Sequence, residues 1–180
     1  GYQNKNSYTG EWKDGQHDGH GAYTFGSGNI YVGEFENNLF NGQGKYTFAN
    51  ENSYFGSFKD GKRHGQGTYT YENGSQYVGA FLDDTKNGQG TFTFASGNRY
   101  VGGFENDLFS GQGVYNLNDG SQYTGEFQNG KKHGKGDFIW SNGNKYTGEF
   151  KAGLLDGAGK YTFANGNIYV GDFKEDLFNG

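Results

Sequence analysis

The chain has 180 residues, of which 36 are glycine, and it contains no proline, cysteine or methionine. Without cysteine it forms no disulfide framework and no thiolate metal site, and without proline or a three-residue glycine period it is not collagen-like. A disordered chain is highly charged and poor in rings, whereas this one has a formal net charge of only −5 and is 19% aromatic.

An internal repeat organises the rings and glycines. The triplet Tyr-x-Gly recurs every 23 residues without insertion or deletion. With its tyrosine as position 1, glycine occupies position 3 and an aromatic ring position 5 in every copy, positions 12 and 14 form a Gly-x-Gly pair, and positions 16 and 18 carry further rings except at Leu117. This periodicity predicts one repeat array over residues 1–180. The repeats begin at Tyr8, Tyr31, Tyr54, Tyr77, Tyr100, Tyr123, Tyr146 and Tyr169.

Each repeat predicts two short antiparallel strands. Tyr, Gly and the ring at positions 1, 3 and 5 alternate with polar or β-branched residues, which places them on one face of a strand. A turn is predicted at positions 7 and 8, as in Asp14-Gly15, and another at positions 20 and 21, as in Asn73-Gly74. Both dipeptides favour a type I′ hairpin turn. Asn50-Glu51 breaks the rule and predicts a strained or wider turn.

The recurrent glycines within the strands predict that aromatic rings pack over them, because a ring can lie over the bare backbone of a glycine on a neighbouring strand. The predicted fold is all-β, an elongated, twisted and curved single antiparallel sheet of serial hairpins, like a solenoid rod. The predicted core of the first four repeats comprises Tyr8, Gly10, Trp12, Tyr31, Gly33, Phe35, Tyr54, Gly56, Phe58, Tyr77, Gly79 and Phe81. Tyr2 at position 18 and Gly180 at position 12 predict that both ends are truncated, with self-association through the terminal strands.

The pattern Tyr-x-Gly-x-(Trp/Phe)-x6-Gly-x-Gly-x-(Tyr/Phe)-x-(Phe/Tyr) resembles the MORN (membrane occupation and recognition nexus) repeat. The segment Tyr8-Thr9-Gly10-Glu11-Trp12-Lys13-Asp14-Gly15 is similar to the family template. The resemblance implies antiparallel hairpins in an elongated curved sheet. It also implies one of the functional contexts in which the family occurs: proteins that bridge membranes, cytoskeletal scaffolds, partners of motor proteins, or modules attached to lipid kinases or a histone methyltransferase. In these enzymes the chemistry lies in another domain.

Catalytic chemistry is not predicted. His17 and His20 are assigned to a loop and a strand start and lack further metal ligands. The Gly-x-Gly pairs lead into aromatic strands rather than into a helix N-terminus, so they do not predict a phosphate loop. The carboxylates at position 4 recur with the repeat and form no isolated acid/base pair. We therefore expect no enzyme activity, no cofactor and no metal.

Positions 9 to 11 vary between repeats and carry the candidate contacts. Three repeats are apolar there and are interpreted as loop tips that contact a protein partner: Leu39, Phe40, Leu108, Phe109, Leu177 and Phe178. Two repeats are basic and are candidate contacts to anionic lipid: Lys62, Arg63, Lys131 and Lys132. Each set recurs after 69 residues. A shared contact face and duplication of a three-repeat block explain this period equally well.

The predicted function is a non-catalytic scaffold for protein–protein interaction or self-association, intracellular and peripheral to a membrane or the cytoskeleton. Binding of acidic phospholipid is the alternative. Four cations at about 1 kcal/mol each give only millimolar affinity, and the acidic pI of about 5.3 opposes it. The same charge argues against nucleic acid. A further alternative is an accessory module of an enzyme encoded elsewhere in a longer chain.

Overall fold

The computed structural model describes residues 5–179, and all their regular structure is β-strand. Consecutive strands pair in chain order in a single open antiparallel sheet of 16 strands, which confirms the predicted all-β sheet of serial hairpins. Tyr2 and Gly180, on which the prediction of truncated ends depends, lie outside the described residues. The strands are β1 Ser7–Lys13, β2 Gln16–Thr24, β3 Ile30–Glu36, β4 Leu39–Thr47, β5 Ser53–Lys59, β6 Lys62–Thr70, β7 Gln76–Leu82, β8 Thr85–Thr93, β9 Arg99–Glu105, β10 Leu108–Asn116, β11 Gln122–Gln128, β12 Lys131–Ile139, β13 Lys145–Lys151, β14 Leu154–Thr162, β15 Ile168–Lys174 and β16 Leu177–Asn179.

The chain divides into two compact units, Gly1–Gly88 and Gln89–Gly180. Each unit contains the same 23-residue pattern, so corresponding positions are compared between the units below. Side chains at positions 1, 5, 10, 16 and 18 form what we call the aromatic face of the sheet. Those at positions 2, 4, 13 and 15 form the second face.

A bulge in each hairpin brings position 10 beside the ring at position 5. In β3 and β4 the glycines Gly33 and Gly44 pair, but Phe35 pairs with Phe40, so the register shifts by two residues between them. Gly42 at position 12 takes up the shift with φ +97°, a conformation that favours glycine. The Gly-x-Gly pair is therefore a structural element of the bulge.

Tyrosines at position 1 form the floor of the aromatic face. Tyr54 is completely buried, and its hydroxyl donates a hydrogen bond of 2.7 Å to the carbonyl oxygen of Ser57. A Cβ atom added to Gly67 would lie 2.5 Å from Tyr54 Cζ, closer than real side chains approach. The prediction that rings lie over glycines is confirmed. The tyrosines with at most 1% exposure are Tyr31, Tyr54, Tyr77, Tyr100, Tyr123 and Tyr146.

Contrary to the prediction, Trp12 does not belong to the buried core, because it is 60% exposed. A ring at position 5 is covered by the tyrosine of the preceding repeat. Phe58 shows this: it packs edge-on against Tyr31 at 5.1 Å between ring centroids. No preceding tyrosine lies within the described residues to cover Trp12 in the same way.

The turn at positions 7 and 8 is type I′ as predicted, since both central residues have positive φ, for example Asp14 at 50° and Gly15 at 78°. The prediction of type I′ at positions 20 and 21 is wrong. That connection is a three-residue loop, in which Gly28 N donates to Phe25 O at 2.9 Å and Phe25 N donates to Asn29 O at 2.9 Å. Only position 21 has positive φ, as expected for a type I turn followed by a left-handed residue.

The loop that contains Glu51 is strained but no wider than the others. Glu51 N donates to Phe48 O at 3.0 Å and Phe48 N donates to Asn52 O at 2.9 Å, which is the same pattern. Glu51 takes φ +70° at the position where the other repeats have glycine. One half of the prediction is therefore confirmed, and the wider turn is wrong.

Candidate functional site

The aromatic face of the first unit carries an open groove. Phe40 at position 10 stacks on the buried Tyr31 with ring centroids 3.8 Å apart and planes 16° from parallel. Half-buried rings at positions 16 and 18 stand beside it. The groove has a volume of about 290 Å³ and is lined by Phe40, Tyr46, Phe48, Phe58, Gly61, Arg63 and Asp84.

The second unit repeats this groove at the corresponding positions. Phe109 stacks on Tyr100 at 3.8 Å and 17°. The groove has a volume of about 320 Å³, and its lining includes Phe109, Tyr115, Leu117, Phe127, Gly130 and Lys132. These residues lie 69 positions after Phe40, Tyr46, Phe48, Phe58, Gly61 and Arg63. A neighbouring groove of about 310 Å³ is lined by Lys132, Trp140, Gly153 and Tyr161, among others.

The predicted apolar loop tips are strand residues, so their placement in loops is corrected. Leu39 and Phe40 begin β4, and successive residues of a strand point to opposite faces. Phe40 therefore packs on Tyr31 in the aromatic groove, while Leu39 stays 45% exposed. The other pairs follow the same rule, with Leu108 47% and Leu177 70% exposed, Phe109 half-buried, and Phe178 51% exposed beside Tyr169 at 4.6 Å.

The predicted basic pairs also separate. Lys62 is exposed, whereas Arg63 at position 10 lies over the rings of the aromatic face, 5.3 Å from the centroid of Tyr69. Arg63 Nε is 3.1 Å from Asp84 Oδ1, and Nη2 donates to the Asp84 carbonyl oxygen at 2.7 Å. Lys62 and Arg63 thus do not form one basic patch.

The second basic pair behaves in the same way. Lys131 is exposed, and Lys132 at position 10 points into the rings. Its Nζ lies 4.5 Å from the ring centroid of Phe138 and 5.7 Å from those of Tyr123 and Phe150. Burial lowers the pKa of the Lys132 ammonium, with a smaller opposing effect from Asp176.

The histidine at position 10 of the first repeat is part of the same stack. His17 lies in β2, not in a loop as predicted, and it stacks on Tyr8 at 3.7 Å and 17°. His20 lies in the same strand. Residues 5–179 contain no group of three histidine or acidic side chains that could hold a metal ion. The same residues include no helix with the length and hydropathy needed to cross a membrane.

Two hydrogen-bond systems between repeats were missed in the sequence. Asparagine at position 22 accepts from the backbone of the next loop, as Asn144 Oδ1 does from Ala164 N at 2.9 Å, and its amide donates to the ring hydroxyl of Tyr161 at 2.9 Å. Its recurrence at Asn29, Asn52, Asn98, Asn144 and Asn167 was the available signal. The second system joins position 8 to position 10 of the preceding repeat, as Asp84 N donates to Arg63 O at 3.0 Å.

Burial also changes the acidity of the floor tyrosines. Loss of hydration raises the pKa of Tyr54 to about 12, although nearby Arg63 acts in the opposite direction. The pKa of Tyr100 is raised to about 12, again mainly by burial. These phenols remain neutral hydrogen-bond donors at physiological pH, which suits a structural floor.

The geometry defines a class of protein: an array of β-hairpin repeats with a constant floor of tyrosine and glycine and variable side chains along a groove. The sequence model of the family described as MORN repeat matches residues 8–30, 31–53, 54–76, 77–99, 100–122, 123–145 and 146–168. The chain belongs to the MORN repeat family. No curated protein matches it.

The chain is similar to several solved structures at low sequence identity. The SAS-4 (dCPAP) TCP domain of Drosophila melanogaster, in complex with a proline-rich motif of Ana2 (dSTIL), is 12% identical with a TM-score of 0.50, over 87% of this chain and 86% of that one. The G-box domain of the microcephaly protein CPAP is 12% identical with a TM-score of 0.46, over 89% of each chain. The TCP10 domain of Danio rerio CPAP is 12% identical with a TM-score of 0.31, over 86% of this chain and 72% of that one.

Proposed function

We propose that this chain is a non-catalytic interaction module that binds an extended segment of a protein partner in the groove of its aromatic face. The observation that carries the proposal is the open row of mostly half-buried rings at positions 16 and 18, joined by Phe40 and Phe109 at position 10, above a floor of buried tyrosines, present in both units. Exposed apolar surface of this kind is typical of binding sites, and aromatic-lined grooves bind extended peptides.

The likeness to the TCP domain of SAS-4 supports a peptide partner. That domain forms a complex with a proline-rich motif. Proline-rich segments are extended before they bind, so they lose little conformational entropy in an aromatic groove. An extended segment with apolar side chains is therefore the partner class that we propose for this chain.

Phospholipid binding receives less support from the side-chain positions. Arg63 is paired with Asp84, and Lys132 lies among rings, so neither extends toward a membrane surface. Only Lys62 and Lys131 of the four candidate cations are exposed. At about 1 kcal/mol for each cation, two cations contribute half of the already weak attraction expected from four.

The proposal is tested with a displayed library of random peptides selected on the folded chain. Enriched peptides are synthesised and titrated against a Trp12→Phe variant, in which Trp140 is the remaining tryptophan. Trp140 lines the neighbouring groove of the second unit and reports binding by fluorescence. A double variant, Phe48→Ser with Leu117→Ser, removes apolar lining in both units and should weaken binding at least tenfold.

A matched double variant on the second face is the control. Phe55 is 62% and Val101 37% exposed at position 2, so Phe55→Ser with Val101→Ser removes similar apolar surface outside the groove. We expect unchanged affinity. Failure to enrich any peptide, or equal loss of binding in the control, would contradict the proposal. Light scattering on the free chain shows whether it self-associates.

A further inference from the structure

Two equivalent cations of the aromatic face differ in how their charge is balanced. Arg63 and Lys132 both occupy position 10, each in its own unit. Arg63 is held by the carboxylate of Asp84, which comes from position 8 of the next repeat. For Lys132, the residue at position 8 of the next repeat is Gly153, whose N–H donates to Lys132 O at 2.9 Å. The backbone contact is therefore kept, and the carboxylate is missing.

The Lys132 ammonium has no ion-pair or hydrogen-bond partner among residues 5–179. Its surroundings are the rings of Tyr123, Phe138 and Phe150, at 4.5 to 5.7 Å from Nζ to the ring centroids. Asp176 lines the same groove and attracts the ammonium, but it forms no direct ion pair with it, and its Oδ1 accepts the backbone N–H of Leu155 at 2.8 Å. Rings stabilise a cation only in part, and a half-buried charge without a direct ion-pair partner is unfavourable.

We infer that a carboxylate of the bound protein segment pairs with the Lys132 ammonium, as the Asp84 carboxylate pairs with the Arg63 guanidinium. This inference rests on the proposed function and narrows it to a partner with an aspartate or glutamate beside apolar residues. The flanking apolar side chains have their own places, because Lys132 lies between the groove lined by Phe109 and Tyr115 and the groove lined by Trp140 and Tyr161.

A peptide carboxylate fits this position better than a lipid phosphate. Lys132 lies among rings in the sheet face, beside its exposed neighbour Lys131. The net charge of −5 also opposes approach to an anionic membrane. A carboxylate on a flexible side chain reaches the ammonium without bringing a charged surface with it.

The first unit suggests the sharpest variant. Gly153 has φ +92°, and Asp84 occupies the same turn position with φ +72°, so Gly153→Asp keeps the turn and provides an internal carboxylate at Lys132. Gly15→Asp is the matched control, because Gly15 has the same turn position with φ +78° and equal space for a side chain, but does not line the grooves described above. The two variants change the net charge equally.

The same random peptide library is selected on the wild-type chain and on Lys132→Gln, Gly153→Asp and Gly15→Asp, after circular dichroism has shown that each is folded. We expect enrichment of acidic residues next to apolar ones on wild type and on Gly15→Asp, and loss of the acidic preference on the other two. Replacing the enriched acid by its amide should weaken binding to wild type about tenfold, and should change little on Lys132→Gln.

Different failures have different meanings. Peptides that bind the groove of the wild-type chain without acidic enrichment, or equal acidic enrichment on Gly153→Asp, overturn this inference and leave the proposed function standing. Absence of any selected peptide overturns both. Flotation with phosphatidylserine-containing vesicles that depends on Lys132, without acidic peptides, also overturns the inference, because the anion would then come from lipid.

Discussion

Replacing Glu51 by glycine should raise the melting temperature of the chain. Glu51 has φ +70° at position 21 of its hairpin loop, where the glycines of the other repeats have φ between 88° and 94°. An L-residue in the left-handed conformation costs about 1–2 kcal/mol. The side chain of Glu51 is exposed, and the loop hydrogen bond from its N–H to Phe48 O, at 3.0 Å, is available to glycine as well.

The net gain is smaller than the strain that is removed. Glycine gives the unfolded chain more freedom, which offsets about 0.4–1 kcal/mol. The free energy of unfolding should therefore rise by about 0.5–1 kcal/mol. For a chain of this length a change of 1 kcal/mol shifts the melting temperature by about 2–4 °C. The expected shift is an increase of about 1–4 °C.

Thermal unfolding followed by circular dichroism measures this shift. Glu51→Gln keeps the backbone strain and removes the charge, so it should melt with the wild type. Gly74→Glu introduces the strain at an equivalent loop, where φ is +88°, and should lower the melting temperature by a similar amount. The reasoning is refuted if Glu51→Gly melts no higher than the wild type, or if Glu51→Gln gives the same increase.

Four further predictions follow from the core and the groove. Gly67→Ala should lower the free energy of unfolding by about 2–4 kcal/mol in urea titrations, because the new methyl displaces the Tyr54 ring and its hydrogen bond. Phe40→Ser should cost about 1–3 kcal/mol, whereas Leu39→Ser on the same strand should cost less than about 1 kcal/mol; equal losses would contradict the assigned faces. Asn144→Ala should cost about 1–3 kcal/mol in the same titration, since it removes two hydrogen bonds between repeats. The pKa of Tyr54 is raised to about 12, so the fold favours the neutral phenol; this stabilisation is complete below the ordinary value near 10 and is lost as pH rises through 12, and ultraviolet titration should show tyrosinate forming late, with unfolding.

The sheet could be predicted because the same local sequence pattern recurs in every repeat. The alternation of Tyr, Gly and ring has a period of two, and Asp-Gly or Asn-Gly pairs suit a type I′ turn, so strands and first turns follow directly. The second turn could not be predicted from Asn-Gly alone. Its length depends on a backbone hydrogen bond that spans three residues, from Phe25 N to Asn29 O.

The groove was missed because the bulge changes which residues face each other. A regular hairpin that pairs position 3 with position 14 would pair position 5 with position 12. In the structure Phe35 at position 5 pairs with Phe40 at position 10, and Gly42 absorbs the shift with φ +97°. The variable residue at position 10 therefore enters the aromatic face and stacks on the tyrosine floor. The recurrent glycine was read correctly as structural, but the consequence for position 10 depends on the register.

The specificity of such an array must come from the residues that depart from the repeat, since the floor and the backbone are the same everywhere. Gly61 N donates to Phe40 O at 2.9 Å and Asp84 N donates to Arg63 O at 3.0 Å, so the backbone link between position 8 and the preceding position 10 is constant whatever the side chains. Beside that link, Gly61 accompanies the apolar Phe40, and Asp84 accompanies the cationic Arg63. Two pairs depart from this complementarity: Lys132 with Gly153, and Leu155 with Asp176. The two members of each pair are 21 residues apart in a 23-residue repeat, so they occupy different positions, 10 and 8, of consecutive repeats. A comparison of aligned repeats therefore does not show that Lys132 lacks the carboxylate that Arg63 has. The register of the sheet shows it, because it places position 8 beside the preceding position 10.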